Sequence, residues 1–252
     1  VTPIKTENVQ WRVQWMGSTI RNRVLKLTQE SNQIMNGPCI IKEGWELNTF
    51  YLPKSAGVDP LTGAPLYYAY EDMDDKGNVT GEYITTDYSK ATTSKYFQGS
   101  RLPDLYGSIS TTLNLFNCVD LSIMSTYSIG GKMLDYMYQG SMENMYYNNT
   151  WHKNALRRWQ KPGDSAMFKR IIDTSITSMS TRFIATENTL QCTSISLGYE
   201  DTTSQWLKIV GLSSFYCRLY TNNIFRLSTI KEERGLDYPF SRSVSASIGL
   251  RF

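Results

Sequence analysis

Residues 243–252 alternate without exception. Val244, Ala246, Ile248, Leu250 and Phe252 share one side, and Ser243, Ser245, Ser247, Gly249 and Arg251 share the other. Successive side chains of a β-strand point to opposite faces, so a period of two marks a strand between two unlike environments. The pattern recurs along the chain. Val9, Trp11, Val13 and Trp15 alternate with Gln10, Arg12 and Gln14. Leu105, Ile109, Leu113 and Leu115 alternate with Tyr106, Ser108, Ser110, Thr112 and Asn114. Val119, Leu121 and Ile123 alternate with Asp120 and Ser122. Thr193, Ile195, Leu197 and Tyr199 alternate with Cys192, Ser194, Ser196 and Gly198, and Phe215, Cys217 and Leu219 with Tyr216, Arg218 and Tyr220. These segments predict about seven strands, over 8–20, 39–52, 104–116, 119–136, 187–200, 212–226 and 243–252.

The composition agrees with an all-β chain. Aromatics make up 13%, with 17 Tyr, and charged residues only 19%. Tyr, Trp, Thr and Val suit pleated surfaces. A net charge of +3 with no Arg/Lys-rich run excludes a phosphate-tracking surface, so nucleic acid is not an expected partner. No apolar run reaches the roughly 18 residues of a membrane-spanning helix. A barrel strand needs only about 10 alternating residues, so a mean hydropathy of −0.38 does not exclude a membrane. Val1-Thr2-Pro3-Ile4-Lys5 lacks the basic and apolar regions of a signal peptide, so an outer-membrane reading places that signal upstream in a longer precursor. Cys39, Cys118, Cys192 and Cys217 have neither metal-like spacing nor the density of a disulfide framework, and are expected as small buried or lipid-facing residues.

The connections constrain the fold further. Asn117-Cys118 is the only sequence between two strands and predicts a tight hairpin, whereas 53–103 and 137–186 are far longer than compact soluble domains usually carry. Short turns at one end and long loops at the other are normal for outer-membrane barrels. With Phe252 at the periplasmic rim, 53–103, 137–186 and 227–242 lie outside, and 21–38, 117–118 and 201–211 lie inside. The sizeable segment 21–38 is the exception to the short-inside pattern. Seven strands also leave two open edges, which hydrocarbon does not tolerate. The rest of such a barrel must come from elsewhere in the same chain or from another one. A soluble β-sandwich with decorated loops has the same period and stays open as an alternative.

Several segments resemble the SusC/RagA family of TonB-dependent outer-membrane transporters. Gly57-Val58-Asp59-Pro60-Leu61-Thr62-Gly63-Ala64-Pro65-Leu66-Tyr67 is similar to its G-V-D-P-x-T-G-x-P-x-Y stretch, and Gly99-Ser100-Arg101-Leu102-Pro103 opens a second similar element. Ser128-Ile129-Gly130-Gly131 through Asp135 resembles S-x-G-G-x-x-x-D. Trp151-His152 and Arg158-Trp159-Gln160-Lys161-Pro162-Gly163-Asp164 resemble the W-H and R-W-x-x-P-G-D signatures of one loop. Asn222-Asn223-Ile224-Phe225 and the C-terminal Gly249-Leu250-Arg251-Phe252 complete the series. Nothing matches the family's plug domain or TonB-contacting segment, and Lys231–Asp237 departs from its usual G-x-D-P-E loop. The resemblance implies the C-terminal portion of a 22-strand plugged barrel, working in energised import of glycan or peptide fragments. It implies as partners a SusD-like surface lipoprotein, TonB acting through the plug, outer-membrane lipid and the remaining barrel. It implies that Phe252 ends the strand by which such barrels are recognised for assembly.

Catalytic chemistry has little to stand on. The single histidine, His152, has no G-x-S-x-G elbow to serve, and one histidine with scattered cysteines makes no zinc site. Neither enzyme activity nor a cofactor is expected. Asp72 and Asp74 occupy positions one and three of a calcium-type loop with Gly77 at six, but Lys76 and Tyr83 stand where positions five and twelve need oxygen ligands. Tyr146, Tyr147, Trp151 and Trp159 crowd one long loop and are candidates for contact with a substrate or partner, or for packing of the loop itself. Lys132, Arg218 and Arg251 fall on predicted lumen faces. The rival to the transporter is a soluble β-rich carbohydrate-binding module using the same aromatics.

Overall fold

A computed structural model of the chain describes residues 1–28, 32–74, 78–145, 151, 153–230 and 242–252. The chain divides into two compact units. The first comprises Val1–Ile20, Pro103–Gly130 and Glu187–Phe252, and the second Arg21–Leu102 and Gly131–Thr186.

The first unit is one antiparallel sheet of seven strands: β1 Ile4–Lys5, β2 Val9–Ser18, β3 Leu105–Leu115, β4 Val119–Ile129, β5 Thr189–Asp201, β6 Ser214–Ser228 and β7 Val244–Arg251. Neighbours in sequence are neighbours in space throughout. The register lines up like with like. Ile4, Trp11, Leu113, Leu121, Leu197, Leu219 and Ala246 form one row across all seven strands. One residue along, Lys5, Gln10, Asn114, Asp120, Gly198, Arg218 and Ser247 form the next. The period of two therefore becomes one predominantly apolar and one predominantly polar face.

The apolar face lies open. Trp15 is 64% exposed, Leu227 60%, Val244 75% and Ile248 68%. Its polar atoms bond within the sheet: Trp11 Nε1 donates to Thr111 Oγ1 at 2.7 Å, and the Tyr127 hydroxyl donates to the Met16 carbonyl at 3.0 Å. On the polar face Arg218 pairs with Asp120 at 3.6 Å. Between them, on β5, stands Gly198, whose absent side chain leaves room for the Asp120 carboxylate.

One end of the sheet carries short connections. Residues 116–118 join β3 to β4, with Phe116 (φ 52°) and Asn117 (φ 55°) as the two left-handed residues of the turn rather than Asn117 and Cys118. Residues 202–213 hold a short helix, Gln205–Val210, and the Asp201 carboxylate accepts from Thr203 N, Ser204 N and Trp206 Nε1 at 3.0–3.1 Å. From the other end leave 19–104, 130–188 and 229–243.

Four details of the expected sheet are corrected. Segment 39–52 is not a strand of it: Cys39–Lys42 and Thr49–Pro53 are short strands of the second unit, and β2 pairs directly with β3. That change places 21–38 within a single long connection and removes the exception noted for it. The strand expected to run to residue 136 stops at Ile129, because Gly130 (φ 75°) and Gly131 (φ 79°) turn the chain through conformations that L side chains resist. Lys132 therefore belongs to a two-strand ladder, Lys132–Leu134 with Ile184–Thr186, and not to the sheet. Finally, Thr193 is bulged out opposite Met124 and Ser125, so Cys192 leaves the Ser194 face and joins Leu190 on the apolar one. On β6 the same level is accommodated by Asn223 at φ 53°.

The second unit is built from small sheets around Cys39, Phe50, Leu52, Leu134 and Phe183, with Tyr138, Met179 and Ile184 packed on them. All four cysteines are free thiols. Of segments 53–103 and 137–186, read from sequence as loops, the described residues, Pro103 apart, are folded parts of this unit.

Gly198→Val forces a side chain into the Asp120 carboxylate. We expect it to cost about 1–3 kcal/mol as overpacking, lowering the thermal unfolding midpoint, whereas Gly140→Ala, with no neighbour within 4 Å, leaves that midpoint nearly unchanged.

Candidate functional site

Within the second unit, residues 137–183 are organised by buried charge. Glu143 is fully buried. It accepts from Arg182 Nη1 and Nη2 at 3.2 and 3.0 Å, from the Thr177 hydroxyl at 3.1 Å and from Lys169 N at 3.3 Å. Arg158, also buried, donates to the carbonyls of Lys169, Met142 and Glu143 at 2.8, 2.9 and 2.6 Å. The Lys169 ammonium donates to the Ser175 carbonyl and lies 3.7 Å from Asp173. Burial pushes Lys169 and Arg158 below their ordinary pKa ranges, opposed for Lys169 mainly by Asp173 and for Arg158 mainly by Glu143. Tyr138 stacks on Phe168, with ring centroids 5.8 Å apart. Irregular backbone is thus held in place by side chains that satisfy its carbonyls.

Two of the motifs singled out in sequence meet on this frame. The Gly57–Pro65 stretch forms a turn in which Asp59 accepts from Leu61 N at 3.0 Å and from the Thr62 hydroxyl at 2.5 Å. The Thr62 hydroxyl holds the Asp59 carboxyl below its usual range. Trp159 donates Nε1 to the Pro60 carbonyl at 2.8 Å and lays its ring on Gly63, where a Cβ would come within 2.6 Å. Arg170 N donates to Gly63 O at 3.0 Å, and Gly163 N to Pro60 O at 2.8 Å. Asp164 closes its own turn by accepting from Gln160 N and Lys161 N at 3.1 and 3.0 Å. Trp159 is first a packing residue, with its N–H committed and one ring face covered.

Beside Trp159 opens a cleft of about 640 Å³, lined also by Trp151, Leu156, Ile171 and Ile172 and by the cations Lys153, Arg158 and Arg170. Among the described residues no carboxylate lines it. Of the four aromatics expected at a contact surface, Trp151 and Trp159 come together here, and Tyr146 and Tyr147 lie outside the described residues, as does His152. Sequence reading missed the aliphatic and cationic walls. Their signal was Lys169-Arg170-Ile171-Ile172, two charges beside two branched apolar residues within a supposed loop.

The calcium-type loop is a small hairpin, Asp72–Met73 with Val79–Thr80. Asp72 accepts from Met73 N at 2.8 Å, and Asp74 accepts from Asn78 N and Nδ2, both at 2.7 Å. Lys76 and Gly77 lie outside the described residues. Among the described residues no group of three or more metal-ligating side chains occurs. The cation Arg218 lies on the polar face as expected.

Glu143→Ala strands Arg182 without its buried partner. We expect a loss of about 3–5 kcal/mol, read as a lowered unfolding midpoint. Glu82→Ala breaks only the half-exposed 3.3 Å pair with Lys54 and a 3.2 Å hydrogen bond from the Tyr96 hydroxyl, at a cost of about 1–2 kcal/mol.

No protein-family model and no curated protein sequence matches the chain. Solved structures do. The RagAB peptide transporter matches at TM-score 0.80 and 20% identity over 99% of this chain. The RagAB peptide importer matches in its closed-closed state at 0.79 and 19% over 99%, and in its open-open state at 0.74 and 18% over 100%. This chain spans only 27–28% of the length of those chains. The chain therefore has the fold of a portion of the RagAB transporter, the architecture that its SusC/RagA-like motifs resemble.

Proposed function

We propose that the chain is the C-terminal barrel portion of an outer-membrane, TonB-dependent nutrient importer that takes up peptide or glycan fragments with a SusD-like lipoprotein. One observation carries this reading: a seven-stranded sheet whose aligned apolar rows face open space while the polar rows pair among themselves. Hydrocarbon is the solvent that such a face suits. Strands β3 and β4 have 11 residues each. At about 3.4 Å per residue and a tilt of ~40° they cross roughly 28 Å, close to the ~25 Å apolar band of outer-membrane barrels.

In this assignment the polar face lines the lumen, and a plug and the remaining strands come from the same or a separate chain. TonB acts on the plug. Residues 53–103, 137–186 and 227–242 lie outside, where Trp151 and Trp159, with Tyr146 and Tyr147, contact substrate or lipoprotein. A divalent ion at Asp72 and Asp74 would brace an outer hairpin. Phe252 ends the assembly signal. The chain itself performs no chemistry. A soluble carbohydrate-binding module would have to leave the same apolar rows in water.

The faces can be tested one by one. Ile195→Arg, in mid-sheet on the apolar face, should cost about 2–4 kcal/mol and deplete the protein from the outer-membrane fraction. Ser196→Arg, on the polar face, should be tolerated. Recovery as a soluble monomer without detergent, with both variants behaving alike, would rule the barrel out.

A further inference from the structure

We propose that the cleft between Trp151 and Arg170 binds an acidic peptide segment, seating carboxylates on its cations and neighbouring apolar side chains on its aliphatic wall. The assignment deepens the import reading, on which it rests for placing the cleft outside the membrane.

The charge of the cleft is one-sided. Lys153, Arg158 and Arg170 line it and, among the described residues, no acid does. None of the three makes an ion pair among the described residues. Arg158 is only 7% exposed and donates solely to neutral carbonyls. Its Nε and that of Arg170 have no hydrogen-bond partner among the described residues. The two carboxylates whose charge reaches Arg158 are already paired behind the cleft, Glu143 with Arg182 at 3.0 Å and Asp173 with Lys169 at 3.7 Å. A positive field with no acid in its walls is complementary to an anion entering from solvent. Arg158, its guanidinium locked by three carbonyls, supplies fixed charge. Arg170, whose side chain makes one 3.5 Å hydrogen bond, to Thr62 O, and the exposed Lys153 are the groups able to meet a carboxylate.

The other wall selects what carries that anion. Leu156 is 79% exposed, Ile172 77% and Ile171 53%, side by side with Trp151 at 42%. Branched aliphatics reward apolar side chains more than hydroxylated rings. A sugar platform needs open aromatic faces, and Trp159 has one face on Gly63 and its N–H on Pro60. An extended peptide alternating acidic and apolar residues satisfies both walls. A bare anion satisfies one, and a neutral glycan satisfies neither.

The test uses the intact protein in detergent and two labelled probes, an alternating Leu-Glu dodecapeptide and its Leu-Gln analogue. The acidic probe should bind about tenfold tighter or more, the scale of charge-assisted hydrogen bonds, and lose that advantage at high salt. Lys153→Gln with Arg170→Gln should abolish the preference. Leu156→Ser with Ile172→Ser should weaken both probes alike. Lys54→Gln, remote from the cleft, should change neither. Equal affinity for the two probes, an unaltered preference in the Lys153/Arg170 variant, or binding of an oligouronate but not of the peptide would overturn the proposal. The readout needs no transport. Binding that follows these rules in a protein that imports nothing sinks the import reading alone, and import without selective binding sinks this one alone.

Discussion

The sheet depends on register. Seven strands place Ile4, Trp11, Leu113, Leu121, Leu197, Leu219 and Ala246 in line, and a slip of one residue at any ladder would send every apolar side chain of a strand among Asp120, Arg218 and Ser247. The two bulged levels respect that demand. Thr193 takes up one residue that would otherwise invert the rest of β5, and β6 passes over two, Asn223 and Ile224, which keeps its own alternation, so Leu190 and Leu227 stay in line with Tyr127. The hydroxyl of Tyr127 and the indole N–H of Trp11 find acceptors inside the sheet, so neither depends on water for a partner.

The second unit obeys different physics. It has an ordinary apolar core, and its irregular stretches are held by charge buried with partners. Glu143 is at the centre because it gathers Arg182, Thr177 and the backbone of Lys169 at once. Buried pairs of this kind add little net stability, but they leave the chain few alternative arrangements. That suits a segment with short strands and long connections, where hydrogen-bonded ladders alone define little.

The strands of the sheet were legible in the sequence because each lies between two unlike environments, one on either face, and such a boundary writes a period of two. Segment 39–52 shows where that reasoning ends. Local alternation says that Cys39, Phe50 and Leu52 face something apolar, not which sheet they belong to, and their neighbours proved to be Leu134 and Phe183, far along the chain. Gly130-Gly131 was readable as a motif, but its meaning as the point where β4 ends required the paired positive φ angles. For the cleft, the tryptophans were visible as aromatics. That Trp159 is spent on Gly63 and Pro60 while Leu156 and Ile172 stand open depends on pairings across about a hundred residues that no local pattern encodes.

The core of the second unit also dictates an order of events. Cys39, Phe50 and Leu52 come early in the chain, and Leu134 and Phe183 close over them from a segment that follows β3 and β4. While the chain is being delivered from its N-terminus, the first insertion must wait with its apolar side uncovered until two further strands and most of a second insertion have emerged. Until then the half-built unit presents apolar surface to solvent, just as the sheet presents unpaired strand edges.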